Sequence, residues 1–322
     1  VKKHLLSILI PTYNRAALLD LSLNSLINSI KKFDVEIIVC DNASIDNTSY
    51  IVEPYIKNFP CLRYYRQADN LGYDRNVMSC LNYSNADYIW ILGDAYRIDS
   101  NELSTIINIL EQRSYSAVVV NAKNRIKNIP SKIYEDPSML LADLGWHMTL
   151  LNSCVFSCEF IKNNNIKRYF NTYFLHFGLI FEHLATLDDM KVLWYSENVI
   201  YDTEFDLTKG NIRNGGWFNT LFRTFSTNYF CIVISLPHQI NIATKLKCIR
   251  DHDLNTHIFS IKKLLKLRVN GLLNYDDFKL NKEFIPFCTN VPVIIIELIF
   301  RIPMKLLLFF RMIIRKLKSL TK

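Results

Sequence analysis

Four short strand-like runs in the first hundred residues, spaced by stretches of helical periodicity, restrict this chain more than any other feature. Leu6-Ser7-Ile8-Leu9-Ile10 ends at Pro11, Val35 to Cys40 is a second run, and the helical pattern from Ala17 to Ile30 joins them into a βαβ unit. Asp46-Asn47-Thr48 opens a second helix that runs through Ile56. Leu62-Arg63-Tyr64-Tyr65 then reads as a strand, Arg75 to Leu81 as a helix and Tyr88 to Leu92 as a buried strand. The alternation predicts an α/β fold, a mostly parallel sheet flanked by helices on both faces. With 322 residues, half of them apolar, the chain has ample material for such a core.

In an open sheet of this kind ligands bind beyond the carboxyl ends of the strands. Polar residues collect there: Pro11-Thr12-Tyr13-Asn14-Arg15 after the first strand, Asp41-Asn42 after the second and Asp94 after the Trp90 strand. Three turns meeting at one edge predict a nucleotide site. A plainer reading exists beside it, with Asp41-Asn42 as a turn and Asp46 as a helix N-cap.

The strings Ser7 to Arg15, Asp41 to Thr48, Asn70-Leu71-Gly72-Tyr73-Asp74-Arg75-Asn76 and Trp90 to Asp94 resemble glycosyltransferase family 2 in order and spacing, over roughly the first hundred residues. The Asn-Leu-Gly-x-Asp-Arg-Asn run is similar to the branch that builds bacterial O-antigen repeats, abequosyltransferases included. The resemblance implies a Rossmann-like GT-A domain to about residue 203 and a mainly helical C-terminal region over 204–322. It also implies transfer of a sugar from a nucleoside diphosphate sugar to a saccharide hydroxyl, with inversion at the anomeric carbon. The turn Pro11, Thr12, Tyr13, Asn14 and Arg15 would wrap the base, and Asp41 would accept from a base N–H or a ribose hydroxyl. Asn70, Gly72 and Arg75 would approach the ligand, the glycine by close backbone contact and the arginine through its planar donors. A helix starting at Asp74 would turn its N–H groups the same way.

Gly93-Asp94-Ala95-Tyr96 departs from the family pattern. The resemblance implies consecutive or alternate aspartates here, with Mg²⁺ or Mn²⁺ bridging the phosphates. Asp94 is the metal candidate this chain offers, and Ala95 stands where the main carboxylate is expected. Three explanations stay open: a substitution that silences the enzyme, a natural form that leans on cationic side chains instead of metal, or lost catalysis that leaves a nucleotide-sugar-binding member of an assembly complex.

An inverting transfer needs a base for the acceptor hydroxyl. The family's position for it falls near His176, with Glu182 further along the same helical run as its rival; either is equally readable as an ordinary structural residue. Trp146 and His147 resemble the acceptor-facing stretch, where an indole can stack on a sugar or simply pack in the core. Arg213 lies in a segment with paired glycines that could close over the pyrophosphate or stay solvated. A sugar nucleotidyltransferase would share the βαβ start, but it needs a glycine-rich phosphate loop that Pro11 to Arg15 lacks.

Eight cysteines are scattered without zinc spacing and read as buried thiols of a reducing compartment. After Val1-Lys2-Lys3-His4 the chain enters a strand with no signal-like apolar core, so a cytoplasmic location is expected. The net charge is +8, and the stretch from Glu297 to Lys322 holds seven cations and one acid, which leaves the remainder near neutral and argues against nucleic acid as a partner. Residues 291–322 carry those cations on one side of a helical wheel and Leu306, Phe310, Ile313, Ile314 and Leu317 on the other. The pattern predicts a basic amphipathic helix lying on the cytoplasmic face of the inner membrane, or a terminal helix docked on the domain. Charges and Pro303 interrupt it too often for a spanning helix. The O-antigen resemblance implies a polyprenyl-diphosphate-linked saccharide as acceptor at that surface.

Overall fold

A computed structural model describes residues 3–30, 32–162, 166–203, 217–309 and 311–312. The chain divides into two compact units, Val1–Asn214 with Leu236–Asn241, and Gly215–Ser235 with Ile242–Lys322.

The first unit begins β1 (His4–Thr12), α1 (Ala16–Ile30), β2 (Val35–Asp41), α2 (Thr48–Asn58), β3 (Leu62–Arg66), α3 (Tyr73–Tyr83) and β4 (Ala86–Ile91). The expected βαβ alternation is present with these bounds. All seven residues of β2 are buried, as expected of a central parallel strand covered on both faces. α1 buries Leu19, Leu23, Leu26 and Ile30, the three- and four-residue spacing of one helix face. α2 runs on to Asn58 although Pro54 lies inside it. That proline is exposed, so the carbonyl its missing N–H leaves unpaired can be met by water.

The unit continues with β5 (Tyr96–Ile98), α4 (Ser100–Glu111), β6 (Ala117–Ala122), β7 (Lys132–Tyr134), α5 (Pro137–Met148), β8 (Cys154–Ser157), α6 (Leu175–Leu184) and β9 (Val192–Asp202). The sheet order is β3-β2-β1-β4-β8-β6-β9-β5, with β7 also on β9. β3, β2, β1 and β4 are mutually parallel. β8 is antiparallel to both β4 and β6, and β5 and β7 are antiparallel to β9. The sheet is thus mixed, parallel in the half that carries the recognised strings. Trp90 is fully buried at its centre, with its indole N–H donated to the Asn152 carbonyl at 2.9 Å.

The second unit is helical: α7 (Tyr229–Ser235), α8 (Ile242–Thr256), α9 (Ile261–Val269), α10 (Tyr275–Asn281), α11 (Ile285–Cys288) and α12 (Val293–Arg301). Phe222, Phe259 and Phe278 form a fully buried aromatic group within it. Buried Asp277 accepts from the N–H groups of Phe222 and Arg223 at 2.8 and 3.2 Å, so the carboxylate is spent on backbone rather than on a ligand.

Two expectations for this region are corrected. The single amphipathic helix over 291–322 is broken: α12 stops at Arg301, Ile302 is extended, and helix resumes over 304–309. Pro303 is the cause, since proline disfavours a helical conformation in the residue before it. Residues 313–322, with four of the seven cations, lie outside the described residues. The positive charge also extends beyond the tail. Within the second unit 17 Lys and Arg face 6 Asp and Glu, a net +11, which leaves the first unit at −3 in a chain of +8. Among the described residues no helix is long and apolar enough to cross a membrane.

Candidate functional site

The strand register brings the recognised strings together. Thr12 lies beside Asp41 and Asp41 beside Arg66, so the carboxyl ends of β1, β2 and β3 finish level. The β1–α1 and β2–α2 turns are then laced to each other. Asn14 takes a left-handed φ of 52°, which aims its side chain across the gap: its N–H donates to Ser44 Oγ at 2.9 Å, and its Oδ1 accepts from the Ile45 N–H at 2.8 Å. Asp46 accepts from the Ala16 N–H at 3.0 Å and from the Thr48 N–H at 3.1 Å. It thus ties the first N–H groups of α1 and α2 together, although the N-cap position of α2 is Asn47, which makes no side-chain cap bond, so Asp46 is not the N-cap expected from the sequence.

Asp41 is completely buried. One oxygen accepts from the Ser44 N–H at 2.8 Å, and the other accepts from the Tyr64 hydroxyl at 2.6 Å with the Arg66 guanidinium 3.6 Å away. Burial, reinforced by that bond to Asp41, pushes the Tyr64 hydroxyl up to about 12. Asp41 therefore braces its own turn, and a base or ribose would have to displace Tyr64 or Arg66 to reach it. Asn42 links onward: its amide donates to Asn70 Oδ1 at 2.8 Å and its Oδ1 accepts from the Leu71 N–H at 2.8 Å. Gly72 sits at φ 82°, a backbone conformation that L side chains rarely adopt, and that alone accounts for a glycine here.

α3 presents three consecutive side chains to the segment ahead of α6. The Tyr73 ring meets that of Tyr173 at 5.4 Å, Asp74 accepts from the N–H groups of Thr172 and Tyr173 at 2.7 and 2.9 Å, and the Arg75 guanidinium lies over Phe170 at 4.8 Å. Burial raises the Asp74 carboxyl to about 6, only partly opposed by the N–H bonds it accepts.

Asp94 stands at the centre, 4% exposed. Its Oδ2 accepts from Thr12 Oγ1 at 2.8 Å and its Oδ1 pairs with Arg15 Nη1 at 2.9 Å. Burial raises its pKa and the Arg15 charge lowers it, burial being the larger effect. Gly93 is required by packing, since a Cβ would come 2.9 Å from the Tyr96 ring that folds back beside it. The Ala95 carbonyl is gripped by Thr203, whose N–H and hydroxyl donate to it at 3.0 and 3.1 Å.

A divalent cation held by a protein needs several oxygen donors of its own. Here both oxygens of Asp94 are engaged by Thr12 and Arg15, and Ala95 offers a methyl group. Among the described residues no three His, Cys, Asp or Glu side chains gather to hold an ion. The described residues do not fit a protein-held metal.

The remaining candidates lie elsewhere. Tyr13 is exposed and Pro11 half-exposed at the mouth of the turn. His147 is fully buried with Nε2 facing the Val120 carbonyl at 2.9 Å, and Trp146 is nearly buried beneath the Arg125 guanidinium. Neither offers a surface to an acceptor. His176 is 2% exposed, its ring nitrogens lacking a hydrogen bond of good geometry although the backbone of Met148 and Thr149 lies close by. Burial pushes its pKa down to about 4, so the imidazole is neutral at physiological pH and a weak proton acceptor. Glu182 is ion-paired with Arg168. Arg213 lies outside the described residues. Sequence reasoning missed Tyr64, Thr172, Tyr173 and Thr203, because their parts depend on pairings across 23 to 108 residues.

The same chain can be set beside known proteins. Over 114 residues it is 39% identical to the abequosyltransferase RfbV of Salmonella typhimurium, a stretch that covers 34% of each chain. Over 103 residues it is 32% identical to the GalNAc(5)-diNAcBac-PP-undecaprenol beta-1,3-glucosyltransferase of Campylobacter jejuni, covering 32% of this chain and 33% of that one. It thus spans about a third of the length of these curated relatives. Among solved structures, the mannosyltransferase PcManGT of Pyrobaculum calidifontis, in complex with GDP-Man and Mn²⁺, superposes with a TM-score of 0.53 at 12% identity, over 92% of this chain and 87% of that one. The shared fold is GT-A. The model of glycosyl transferase family 2 matches residues 7–173, and the chain belongs to that family.

Proposed function

We propose that this glycosyltransferase moves a sugar from a nucleoside diphosphate sugar to a hydroxyl of a lipid-diphosphate-linked saccharide, in assembly of a bacterial surface polysaccharide such as O-antigen. The observation that carries the reading is the convergence of three laced strand-end turns on Asp94 and Arg15 at the carboxyl edge of the parallel half-sheet. In the transfer, the bond from the anomeric carbon to the β-phosphate oxygen breaks and its electron pair leaves with the diphosphate. The acceptor oxygen bonds to that carbon from the opposite face, and its proton passes to a base or to water. The short bonds of the two turns hold the site before the donor arrives, so little ordering remains to oppose binding. The names of the Salmonella and Campylobacter relatives support the O-antigen context and a lipid-linked acceptor respectively. With alanine at 95, dependence on Mg²⁺ or Mn²⁺ is expected to be weak.

The acceptor would be met at the cytoplasmic face of the inner membrane. Exposed Ile294, Leu298, Met304, Leu306, Leu308 and Phe309, together with a second unit of net +11, support association with an anionic bilayer surface. Ala95 favours one alternative, a member that binds the donor without turnover. Calorimetric titration with UDP, GDP, CDP and dTDP, each with and without Mn²⁺, tests the reading. Binding of one of them at micromolar strength is expected; binding of none would sink it. Turnover assays on the nucleotide that binds then separate the enzyme from the silent binder.

A further inference from the structure

We infer that Arg15, anchored by Asp94, is the cation that receives the donor's diphosphate in this chain, and that Arg15 and a divalent metal are mutually exclusive partners of Asp94. The inference rests on the functional reading above and assigns Arg15 to the phosphates rather than to the base.

Three observations carry it. First, the position that would complete a metal-binding carboxylate pair is alanine, and the remaining carboxylate is occupied: Arg15 Nη1 lies 2.9 Å from Asp94 Oδ1 and Thr12 Oγ1 lies 2.8 Å from Oδ2. Second, the Arg15 side chain is one-third exposed while the side chain of Asp94 is almost wholly buried, so the guanidinium is the part of the pair that a ligand can touch. Among the described residues its Nε and Nη2 have no second acceptor, which leaves two donors of a planar fork suited to phosphate oxygens. Third, Arg15 ends the turn that begins α1, and Ala16 N–H is tied to Asp46, so the backbone that carries the guanidinium is fixed.

Charge decides the rest. Asp94 alone would repel a diphosphate, and beside Arg15 the pair is neutral, with the positive member outermost. A divalent ion set against Asp94 would share one carboxylate with a guanidinium in a site of low dielectric, where two neighbouring cations repel strongly. With a single carboxylate to hold the ion, Arg15 keeps the place.

The test compares nucleosides with their diphosphates by calorimetry, with and without Mn²⁺, and follows free Mn²⁺ by electron paramagnetic resonance. In the unaltered chain the diphosphate should bind well ahead of its nucleoside with little gain from Mn²⁺. Arg15→Gln should leave nucleoside binding unchanged and lower the diphosphate's metal-free advantage about tenfold or more. It should also create a Mn²⁺-dependent gain that Asp94→Asn, added to Arg15→Gln, abolishes. Arg15→Lys, which keeps the charge, should retain most of the diphosphate advantage, and serves if the glutamine variant folds poorly. Equal Mn²⁺ gains in the unaltered chain and Arg15→Gln, or equal losses for nucleoside and diphosphate, would overturn the inference and leave the site standing. Failure of the unaltered chain to bind any nucleotide would overturn the site itself.

Discussion

Asp74 offers the sharpest quantitative test of the structure. It is 3% exposed, its Oδ2 accepts from the N–H groups of Thr172 and Tyr173, and the backbone N–H groups of Asn171 and Leu175 also lie close to the carboxylate. Burial lifts its pKa from 3.8 to about 6, so the folded protein favours the protonated acid more than the unfolded chain does. The contribution to stability is therefore fully present below about pH 4 and is lost as pH rises through about 6. Two pH units at about 1.4 kcal/mol each put the cost of the charged form near 3 kcal/mol at neutral pH. In Asp74→Asn the amide oxygen can keep both N–H bonds and no charge is buried, while the NH₂ group in the place of Oδ1 costs about 1 kcal/mol as an unsatisfied donor. The variant should gain about 2 kcal/mol at pH 7.5 and lose about 1 kcal/mol at pH 4, measured by urea unfolding across that range. A variant that is less stable at pH 7.5, or a difference that does not change with pH, refutes the account of Asp74 as a strained buried acid.

Three further outcomes are expected. Ala95→Asp sets a second carboxylate beside Asp94, and nucleoside diphosphate binding should then gain about tenfold from Mn²⁺ in calorimetry; indifference to the ion would mean that position 95 does not face the phosphates. His176→Leu replaces a buried, neutral imidazole whose bonds to the nearby backbone are poorly formed, so the folded state should change by no more than about 1 kcal/mol and turnover should persist. A drop in turnover beyond about a hundredfold with folding intact would instead make His176 the proton acceptor. Gly178→Ala would set a Cβ 2.4 Å from the Tyr169 ring. A loss of about 2 kcal/mol or more in thermal unfolding is expected, partly recovered when Tyr169 is shortened to Leu.

The parallel half of the sheet was legible because β1, β2 and β4 are mostly apolar runs and its helices bury one face, so local periodicity suffices. The second half resisted for a physical reason. β5 and β7 are three residues each and β8 four, lengths at which alternation carries almost no signal, and their placement depends on antiparallel partners far along the chain. At the site the residues were readable but their bonds were not. Arg15 and Asp94 were both named from their turns, yet their ion pair spans 79 residues and follows only from the register of β1 and β4. Asp41 shows the opposite failure. Its position was right, and only the structure reveals that Tyr64 and Ser44 already occupy its oxygens. The tail misled because a helical wheel assumes continuity, which Pro303 denies.

The reciprocal bonds between Asn14 and the Ser44–Ile45 turn, with Asp46 joining the starts of both helices, make the two loops a single mechanical piece. On the proposed reading, in which these turns hold the donor, donor preference would not be transplanted one loop at a time. A graft of the first turn alone would arrive without the hydroxyl and amide it needs opposite, and a graft of the second would leave Ala16 uncapped. A graft meant to change what this edge binds would have to move residues 11–16 and 41–48 together.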